Sequence, residues 1–379
     1  MKVSHNIERS CDVVFCKNCS NITLSVIVPT FNASNYVRHF FKYFEFMHKT
    51  MNYVELILVD GGSQDNTLEL AKELFIKRGF CGKIILASNV DVSTARNIGI
   101  VLSRGEYVTF FDIDDIPLPK GFVKLLQLAK TYNVDVAFGR YLIYDSILKK
   151  IIYSTPFKKL QKVCGTNLLI NILKSNLKSN RNSLDLRLHQ GVYSRNYLLS
   201  KDILFTYGSM SHEDFEFLAK VLINSGEILL APEPVYIYIA SPRSMRIDRV
   251  YDGLKTLRRI GTLLARVGVN ESWIKLLILQ DISSLLRLYL WSLLLDHSME
   301  RNLWKFVHEK YEDLLAVYIE YVKVLAKNLL TQSNLSFDGL FKLLKSMVMI
   351  LPYWCLRKSE RIARHGLGGL KTMRSFFPY

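Results

Sequence analysis

The first half of the chain predicts an α/β domain with a mostly parallel sheet flanked by helices. Two observations predict this fold class. Between Leu24 and Phe138, short apolar runs alternate with amphipathic stretches, the pattern of buried parallel strands connected by helices. Polar residues also follow several of these apolar runs directly, and α/β sheets bind ligands outside the carboxyl ends of their strands. The pattern therefore predicts both a fold class and the edge of the sheet that carries a site.

Five apolar runs predict buried strands, and four segments of helical periodicity predict the connections between them. The predicted strands are Leu24–Val28, Leu56–Val59, Ile84–Ala87, Tyr107–Phe111 and Val134–Phe138. The predicted helices are Tyr36–His48, Thr67–Lys77, Ser93–Leu102 and Lys120–Lys130. Parallel strands require crossover connections of this kind, which cover both faces of the sheet with helices.

We divide the chain into three regions. Residues 1–22 are a polar N-terminal extension, residues 23–250 are the α/β domain, and residues 251–379 are a helical C-terminal region. Between Tyr141 and Leu188 the pattern weakens and basic residues are frequent, so we expect a mixed insertion or a mobile loop over the sheet edge. The region after Tyr251 is Leu-rich with helical periodicity and has the length of a small domain.

Composition indicates a folded protein with an anionic partner. Of 379 residues, 49% are hydrophobic and 22% are charged, and the formal net charge is +16. Nucleic acid, an anionic membrane surface and a phosphate-bearing substrate all carry the opposite charge. The basic residues are spread over a loop and the C-terminal tail, and no known nucleic-acid-binding module is present. We therefore expect no nucleic-acid partner.

The basic tail, Leu351–Tyr379, mixes cationic and aromatic residues and overlaps the apolar run Met347–Leu356, which Pro352 interrupts. One interpretation is a helix lying on an anionic membrane surface, and the other is a solvated tail over a helical core. The N-terminus lacks the apolar core of a signal peptide, and no apolar stretch is long enough to span a bilayer. We expect a cytoplasmic protein, attached to the inner face of the cell membrane under the first interpretation.

The cysteines predict free thiols, because the chain is large and shows no secretion signal. A zinc site formed by Cys11, Cys16 and Cys19 is the alternative, but no fourth ligand lies nearby in the sequence. The remaining cysteines are Cys81, Cys164 and Cys355.

Asp112 and Asp114 follow a predicted buried strand, with Asp115 beside them. Carboxylates this close repel one another, and a cation between them removes the repulsion. Carboxylate oxygens select Mg²⁺ or Mn²⁺, and the open positions of such an ion suit diphosphate oxygens. The sequence therefore predicts a metal site, and an ordinary acidic turn before Pro117 is the alternative.

Six segments follow one another in a characteristic order. They are Val26–Asn32, Leu58–Asp65, Ala95–Gly99, Gly105–Asp115, Glu213–Asp214 and Pro234–Tyr238 with Arg243–Ser244 after it. This series resembles glycosyltransferase family 2 and covers the chain from Leu24 to Met245. The chain after about Tyr251 lies outside the resemblance.

The resemblance implies a GT-A fold and an inverting transfer from a nucleotide-sugar donor, a UDP-sugar in the first instance, that depends on Mn²⁺ or Mg²⁺. It implies Asp214 as the catalytic base and Asp112 and Asp114 as the metal pair, with Asp114 the direct ligand. It also implies six donor-binding residues, which are Pro29, Thr30, Asn32, Asp60, Arg96 and Asp112.

The acceptor implied by the resemblance is a saccharide or a lipid-linked saccharide, in the synthesis of capsule, lipopolysaccharide or another cell-surface glycan. Gln190, Gly191 and Glu213 fall in the acceptor region, although His189–Arg195 also reads as an ordinary strand. His212 is left out of the catalytic set, because a lone histidine beside acidic residues is more often structural.

Each role also has a simpler alternative. Asp60 can serve only as a turn and capping residue, and Arg96 only as a solvated helix residue. Glu213 and Asp214 can serve only as the acidic start of a helix. Two positions depart from the family pattern, because Gly61 stands where a second aspartate is common and Asp91 stands where glycine is frequent.

Three other functions compete with this reading. A nucleotidyltransferase would carry a Gly-rich basic loop after its first strand, and Pro29–Asn32 is not such a loop. A nucleic-acid-binding protein fits the charge alone. An inactive relative conflicts with the retained Asp112, Asp114 and Asp214.

Overall fold

The computed structural model describes residues 11–51, 53–145, 149–154, 157–177, 186–209, 211–240 and 247–269. The strands are β1 (Asp12–Lys17), β2 (Leu24–Thr30), β3 (Val54–Asp60), β4 (Gly82–Leu86), β5 (Tyr107–Phe110), β6 (Ile116–Pro117), β7 (Val136–Asp145), β8 (Lys150–Ser154), β9 (Gln161–Cys164), β10 (Gly191–Ser194) and β11 (Glu227–Ala240). The helices are α1 (Ser34–Thr50), α2 (Thr67–Arg78), α3 (Val92–Leu102), α4 (Pro119–Thr131), α5 (Gly165–Leu177), α6 (Arg195–Ser200), α7 (Glu213–Asn224) and α8 (Ile247–Arg266). A short 3-10 turn, Leu188–Gln190, precedes β10.

The described strands form one sheet in the order β1-β4-β3-β2-β5-β10-β7-β11-β6, with β8 paired to β7 and β9 paired to β11. Strands β4, β3, β2 and β5 are parallel neighbours. Strand β10 runs antiparallel to both β5 and β7, and β11 runs parallel to β7. The predicted parallel sheet with its five strands and four helices is therefore confirmed in this central part.

Alternate residues of β2 face opposite layers of helices, as strand geometry requires. Val26 and Val28 are fully buried in the same cluster as Phe40 and Phe44 of α1. On the other face, a Cβ added to Gly99 of α3 would collide with the side chain of Ile27. A glycine at this point lets α3 lie directly on the sheet. The N-terminal end of α3 then lies beside the loops that follow β2 and β3.

The N-terminal extension contributes a strand that the sequence did not predict. Strand β1 pairs antiparallel with β4 and so closes the edge of the sheet. Its residues are mostly exposed, and only Phe15 makes an inward contact, with its ring 5.5 Å from that of Phe75. A strand with one inward side chain lacks the alternating apolar pattern by which strands are recognised.

The segment predicted as an insertion or mobile loop also carries regular structure. Strand β7 continues to Asp145, and β8, β9 and α5 follow it. Helix α5 buries Leu168, Leu169 and Ile172. The basic residues around these apolar positions obscured the pattern in the sequence.

The prediction of free thiols is wrong for two cysteines, because Cys19 and Cys81 form a disulfide. They lie far apart in sequence, and the pairing of β1 with β4 brings them together. The sulfur of Cys19 is therefore not available as a zinc thiolate, so the three-cysteine zinc site has lost a ligand. Cys16 and Cys164 have free thiols, as predicted. Cys355 lies outside the described residues.

The first helix of the predicted C-terminal region is present as α8, which buries Ile260 and Leu264. The rest of that region, including the basic tail Leu351–Tyr379, lies outside the described residues, as does Arg243–Ser244. None of the helices that the structure describes combines the length and apolarity needed to cross a bilayer.

We expect the disulfide to stabilise the fold, because it closes a 62-residue separation in the unfolded chain. Replacing Cys19 with alanine should lower the free energy of unfolding by about 4 kcal/mol, most of it loop-closure entropy. Urea unfolding without reductant measures this change. Cys16→Ala, which removes an exposed free thiol three residues before Cys19, is the matched control. Equal unfolding midpoints for the two variants would contradict the stabilising role.

Candidate active site

A cavity of about 590 Å³ opens where β2, β3 and β5 end. It is bounded by the loops after these strands, by the start of α3 and by the start of α7. Among its lining residues are those singled out from the sequence at widely separated positions: Pro29, Thr30, Arg96, Asp112, Asp114, Glu213 and Asp214. Five lining residues are acidic and Arg96 is the one permanent cation among them, so the described wall is strongly anionic.

Asp60 lies beneath this cavity and is fully buried. Its carboxylate accepts hydrogen bonds from the Thr30 hydroxyl at 3.0 Å, from the backbone N–H of Gly62 at 3.0 Å and from the backbone and hydroxyl of Ser63 at 2.7 and 2.6 Å. These contacts tie the loop after β3 to the end of β2. The structure thus places Asp60 as an organiser of the loop that forms the cavity floor, and its direct donor contact stays a prediction.

Asn32 holds the same two loops together from the exposed side. Its backbone N–H donates to the Ser63 hydroxyl at 2.9 Å, and its amide oxygen accepts from the backbone N–H of Gln64 at 2.8 Å. It has a left-handed backbone with φ of 47°, which asparagine tolerates better than most residues. Asn32 itself is not part of the cavity lining, whereas the neighbouring Phe31 is, with 62% of its surface exposed.

Asp65 completes this turn by accepting a hydrogen bond from the backbone N–H of Thr67 at 3.1 Å, at the start of α2. The hydrogen bond from the Thr67 hydroxyl is the main reason why the pKa of Asp65 is lowered to about 2.

Arg96 joins two walls of the cavity. Its side chain is only 4% exposed, and its guanidinium contacts Asp112 at 2.9 Å and Glu213 at 3.2 Å. The group also lies 5.3 Å from the centroid of the Phe205 ring. Arg96 is therefore not the solvated helix residue of the simpler alternative. It links the end of β5 to the first turn of α7.

Glu213 and Asp214 begin α7, where acidic residues interact favourably with the helix dipole. Both also line the cavity, so the interaction with the helix dipole and a chemical role are compatible here. Burial and the neighbouring charge of Asp214 raise the pKa of Glu213, and Arg96 opposes this shift. Asp214 keeps part of its side chain accessible from the cavity.

A second acidic group lies at the end of β5. Ligand atoms of Asp112, Asp115 and His189 all lie within 4.8 Å of one another, which makes this trio a candidate metal centre among the described residues. His189 comes from the turn before β10, and its Nδ1 lies 3.2 Å from the carbonyl oxygen of Phe110. A carbonyl oxygen can only accept, so Nδ1–H is the donor in this hydrogen bond. Nε2 lies 3.7 Å from a carboxylate oxygen of Asp112.

Asp115 is held on both oxygens, by the backbone N–H of Asp112 at 2.8 Å and by the hydroxyl of Tyr236 at 2.7 Å. Burial, together with the charge of Asp112, raises its pKa to about 6, although His189 works in the opposite direction. A buried carboxylate beside another carboxylate is the environment that a divalent cation relieves. Two carboxylates and one imidazole nitrogen fit Mn²⁺ or Mg²⁺ as a donor set.

Asp114, the expected direct metal ligand, is exposed and lines the cavity but is not one of this trio. The sequence missed Asp115 and His189 as candidate ligands. His189 lies in a turn far along the chain from β5, and only the pairing of β10 with β5 brings it there. The residues around His189 carry no local signal for this pairing.

The predicted acceptor residues lie beside this centre. Gln190 is fully buried, and its side-chain amide has no hydrogen-bond partner in the part of the chain that the structure describes. The carbonyl oxygen of Gly191 accepts from the Thr109 hydroxyl at 2.8 Å. Neither residue is in the cavity lining, whereas Glu213 is. The alternative interpretation of His189–Arg195 as an ordinary strand is met in part, because this stretch includes β10.

Comparison with known proteins finds chains that are similar in sequence and in fold. Residues 25–198 match the family model described as Glycosyl transferase family 2. The matched residues include the cavity loops after β2, β3 and β5. The base candidate Asp214 and helix α8 lie beyond the matched residues.

Individual relatives are similar over part of their length. Glycosyltransferase GlyG of Streptococcus pneumoniae serotype 4 is 32% identical over 126 residues, which are 32% of this chain and 40% of GlyG. The uncharacterized glycosyltransferase YibD of Escherichia coli K12 is 27% identical over 215 residues, 57% of this chain and 60% of YibD. The chain thus spans less than two thirds of both relatives.

Among solved structures, S. aureus TarS 1-349 in complex with UDP-GlcNAc superposes with a TM-score of 0.56 and covers 79% of each chain. The sequence identity is 18%, so this likeness concerns the fold. It confirms the predicted GT-A class, a largely parallel central sheet flanked by helices.

Replacing Arg96 with methionine should destabilise the protein, because Asp112 and Glu213 would face each other without their shared cation. We expect a loss of about 2 kcal/mol at pH 7, between the values for exposed and buried ion pairs because Asp112 is partly accessible. The loss should shrink toward pH 5, because without Arg96 the already raised pKa of Glu213 rises further and protonation removes the repulsion.

Chemical unfolding at both pH values measures this change. Arg78→Met, which breaks the surface pair with Glu45, is the matched control and should cost less than about 1 kcal/mol. The bridging role of Arg96 is contradicted if the two variants lose the same stability at pH 7.

Proposed function

We propose that this protein is an inverting glycosyltransferase that moves a sugar from a UDP-sugar onto a saccharide or lipid-linked saccharide acceptor. The observation that carries this proposal is a single cavity lined by Thr30, Arg96, Asp112, Asp114 and Asp214, which lie on four separate segments of the chain. All of them except Asp214 lie within the residues that match the family 2 model. A cavity of about 590 Å³ also has the size of a small-molecule site.

The nucleoside end of the donor is assigned to the loops after β2 and β3. Pro29, Thr30 and Gly61 line the cavity there, and the exposed ring of Phe31 offers a flat apolar surface to a base. Asp60 and Asn32 hold these loops in shape through their hydrogen bonds. In this proposal the Asp60 carboxylate accepts a hydrogen bond from the imide N–H of uracil. It can do so only if it gives up one of its hydrogen bonds to the loops.

The diphosphate end is assigned to the anionic wall formed by Asp112 and Asp114. A diphosphate carries charge of the same sign, so it binds there only together with a cation. Asp112, Asp115 and His189 would hold the ion, with Asp114 at the open side of the cavity. A bound Mn²⁺ or Mg²⁺ would supply neutralisation of the charge that develops on the leaving diphosphate. Arg96 keeps Asp112 in place for this role.

Asp214 is assigned as the general base that takes the proton of the acceptor hydroxyl. That oxygen then attacks the anomeric carbon from the face opposite the leaving nucleotide, and the configuration inverts. Glu213 is occupied by Arg96, so Asp214 is the carboxylate of this pair with no ion-pair contact among the described residues. Glu213, Gln190 and Gly191 border the acceptor side.

The biological setting is proposed from the resemblance together with the net charge of +16. Synthesis of a cell-surface glycan on a lipid carrier would bring the acceptor to a membrane, and a basic tail would favour an anionic surface. The protein would then work in the cytoplasm, at the inner face of the cell membrane.

The donor and the metal can be tested together. We expect a UDP-sugar to raise the melting temperature in the presence of Mn²⁺ and to be turned over slowly, because a ligand that binds only the folded state stabilises it. The panel is UDP-GlcNAc, UDP-glucose, UDP-galactose and GDP-mannose, each with Mn²⁺, Mg²⁺ or EDTA. Equal stabilisation and turnover in EDTA would contradict the metal role, and no response to any donor would contradict the proposed function.

Asp214→Asn should keep donor binding but lose transfer, because the amide has a similar shape and cannot take a proton. We expect the affinity for UDP with Mn²⁺ to stay within about twofold and kcat to fall by at least about a hundredfold. Calorimetry and UDP release measure the two quantities. Asp202→Asn, the same change at an exposed site, should behave as wild type. Near wild-type transfer by Asp214→Asn would mean that another group is the base.

A further inference from the structure

The segment Phe205–Ser211 leads directly into Glu213 and Asp214 and has no regular secondary structure where it is described. It is anchored on one side by α3. The Asn97 side chain donates to the carbonyl of Phe205 at 2.9 Å and accepts from the N–H of Phe205 at 2.8 Å. The Ser93 hydroxyl donates to the carbonyl of Ser209 at 3.2 Å. The family 2 domain therefore holds the near side of this segment.

Helix α8 anchors the far side, although it lies beyond the residues that match the family. The backbone N–H of Ser211 donates to the Asp252 carboxylate at 3.0 Å, and the carbonyl of Ser211 accepts from the Thr256 hydroxyl at 3.0 Å. Thr256 is fully buried and Asp252 is 9% exposed. Both backbone groups of one residue are thus satisfied by side chains of α8, in a place where water competes little.

A third residue of α8 extends the contact into α7. The Arg259 guanidinium donates to Glu216 at 3.0 Å, to the Thr256 hydroxyl at 2.8 Å and to the Ser209 hydroxyl at 3.2 Å. Glu216 is 2% exposed and lies two residues after Asp214 on the same helix. Asp214 therefore lies between two points, Ser211 and Glu216, that α8 holds.

The backbone between these points needs such support. His212 has a φ of 59°, in the left-handed region that non-glycine residues adopt at a cost of about 1 kcal/mol or more. The first turn of α7 starts from this residue, because Glu216 N–H donates to the His212 carbonyl at 2.9 Å. A turn of this kind persists where the surrounding structure holds it on both sides.

We propose that Asp252, Thr256 and Arg259 of α8 are positioning residues that set the angle at which α7 presents Asp214 to the acceptor hydroxyl. This inference rests on the proposed role of Asp214 as the base. The three residues touch no substrate in this scheme and act through Ser211 and Glu216. A shift of about 1 Å in a reacting group can cost up to a hundredfold in rate, so kcat depends on this clamp and donor affinity does not.

The test uses two threonines of the same helix. Thr256→Val removes the hydroxyl at constant shape, and Thr256→Ser restores it. Thr262→Val is the matched control, because the Thr262 hydroxyl is exposed and bonds only to the carbonyl of Arg258 among the described residues. Each variant is assayed as the full chain, by UDP release from the donor that turns over in the panel above and by calorimetry with UDP and Mn²⁺.

For Thr256→Val we expect kcat to fall by about tenfold or more while the donor KM and the UDP affinity stay within about twofold. Thr256→Ser should recover most of the lost rate, and Thr262→Val should match wild type. Equal kcat for Thr256→Val and Thr262→Val would overturn the inference. A parallel loss of UDP affinity and kcat would also overturn it, because it would show general damage to the cavity.

Hydrogen exchange supplies a readout that needs no activity. The amide of Ser211 should exchange about tenfold faster in Thr256→Val than in wild type or Thr262→Val, since its local opening becomes easier. Unchanged exchange would overturn the clamp whatever the rate data show.

The two proposals fail in different ways. If Asp214→Asn stays active, or if no donor gives a response, the proposed function is contradicted. The hydrogen-exchange result then still decides whether α8 holds the segment. If Asp214→Asn is inactive and Thr256→Val behaves as wild type, only the proposed role of α8 is contradicted.

Discussion

The buried guanidinium of Arg96 is the contact on which the geometry of the site depends. It stands on α3, pairs with Asp112 at the end of β5 and with Glu213 at the start of α7, and is 4% exposed. Both carboxylates would otherwise face each other across a narrow cavity. Because a buried charge is tolerated only with its partners in place, the three elements must assemble together. The relative positions of α3, the end of β5 and the start of α7 therefore depend on one electrostatic constraint.

Arg96 neutralises only part of the negative charge at the cavity, as the other acidic residues show. Asp115 has a raised pKa, mainly through burial, and it lies beside Asp112 and His189. The cavity wall also includes Asp114 and Asp214, so the acidic residues lining it outnumber its one arginine. An excess of this sign disfavours an anionic donor alone and favours a donor that arrives with a divalent cation. The proposed metal dependence follows from this imbalance.

Much of the fold could be predicted, because the central strands are buried on both faces and read as continuous apolar runs. The strand-end rule also predicted that Asp112 and Asp114 lie at the site, and the family resemblance added Arg96, which lines the same cavity. What the sequence could not show depends on pairing between distant segments. His189 reaches Asp112 only through β10, and Cys19 meets Cys81 only through β1. In both cases the local pattern contains no information about the partner.

The contacts of the segment after Phe205 have a consequence for engineering. The family match ends at residue 198, yet Ser93 and Asn97 within it hold backbone groups of residues 205 and 209 outside it. In a chimera joined at that boundary, α3 would come from this protein and the segment after residue 198 from another. The side chains of α3 would then no longer match the backbone groups of that segment. Chimeras that exchange specificity therefore require a junction beyond α8. The segment after Phe205 then stays together with both helices, α3 and α8, whose side chains bond to it.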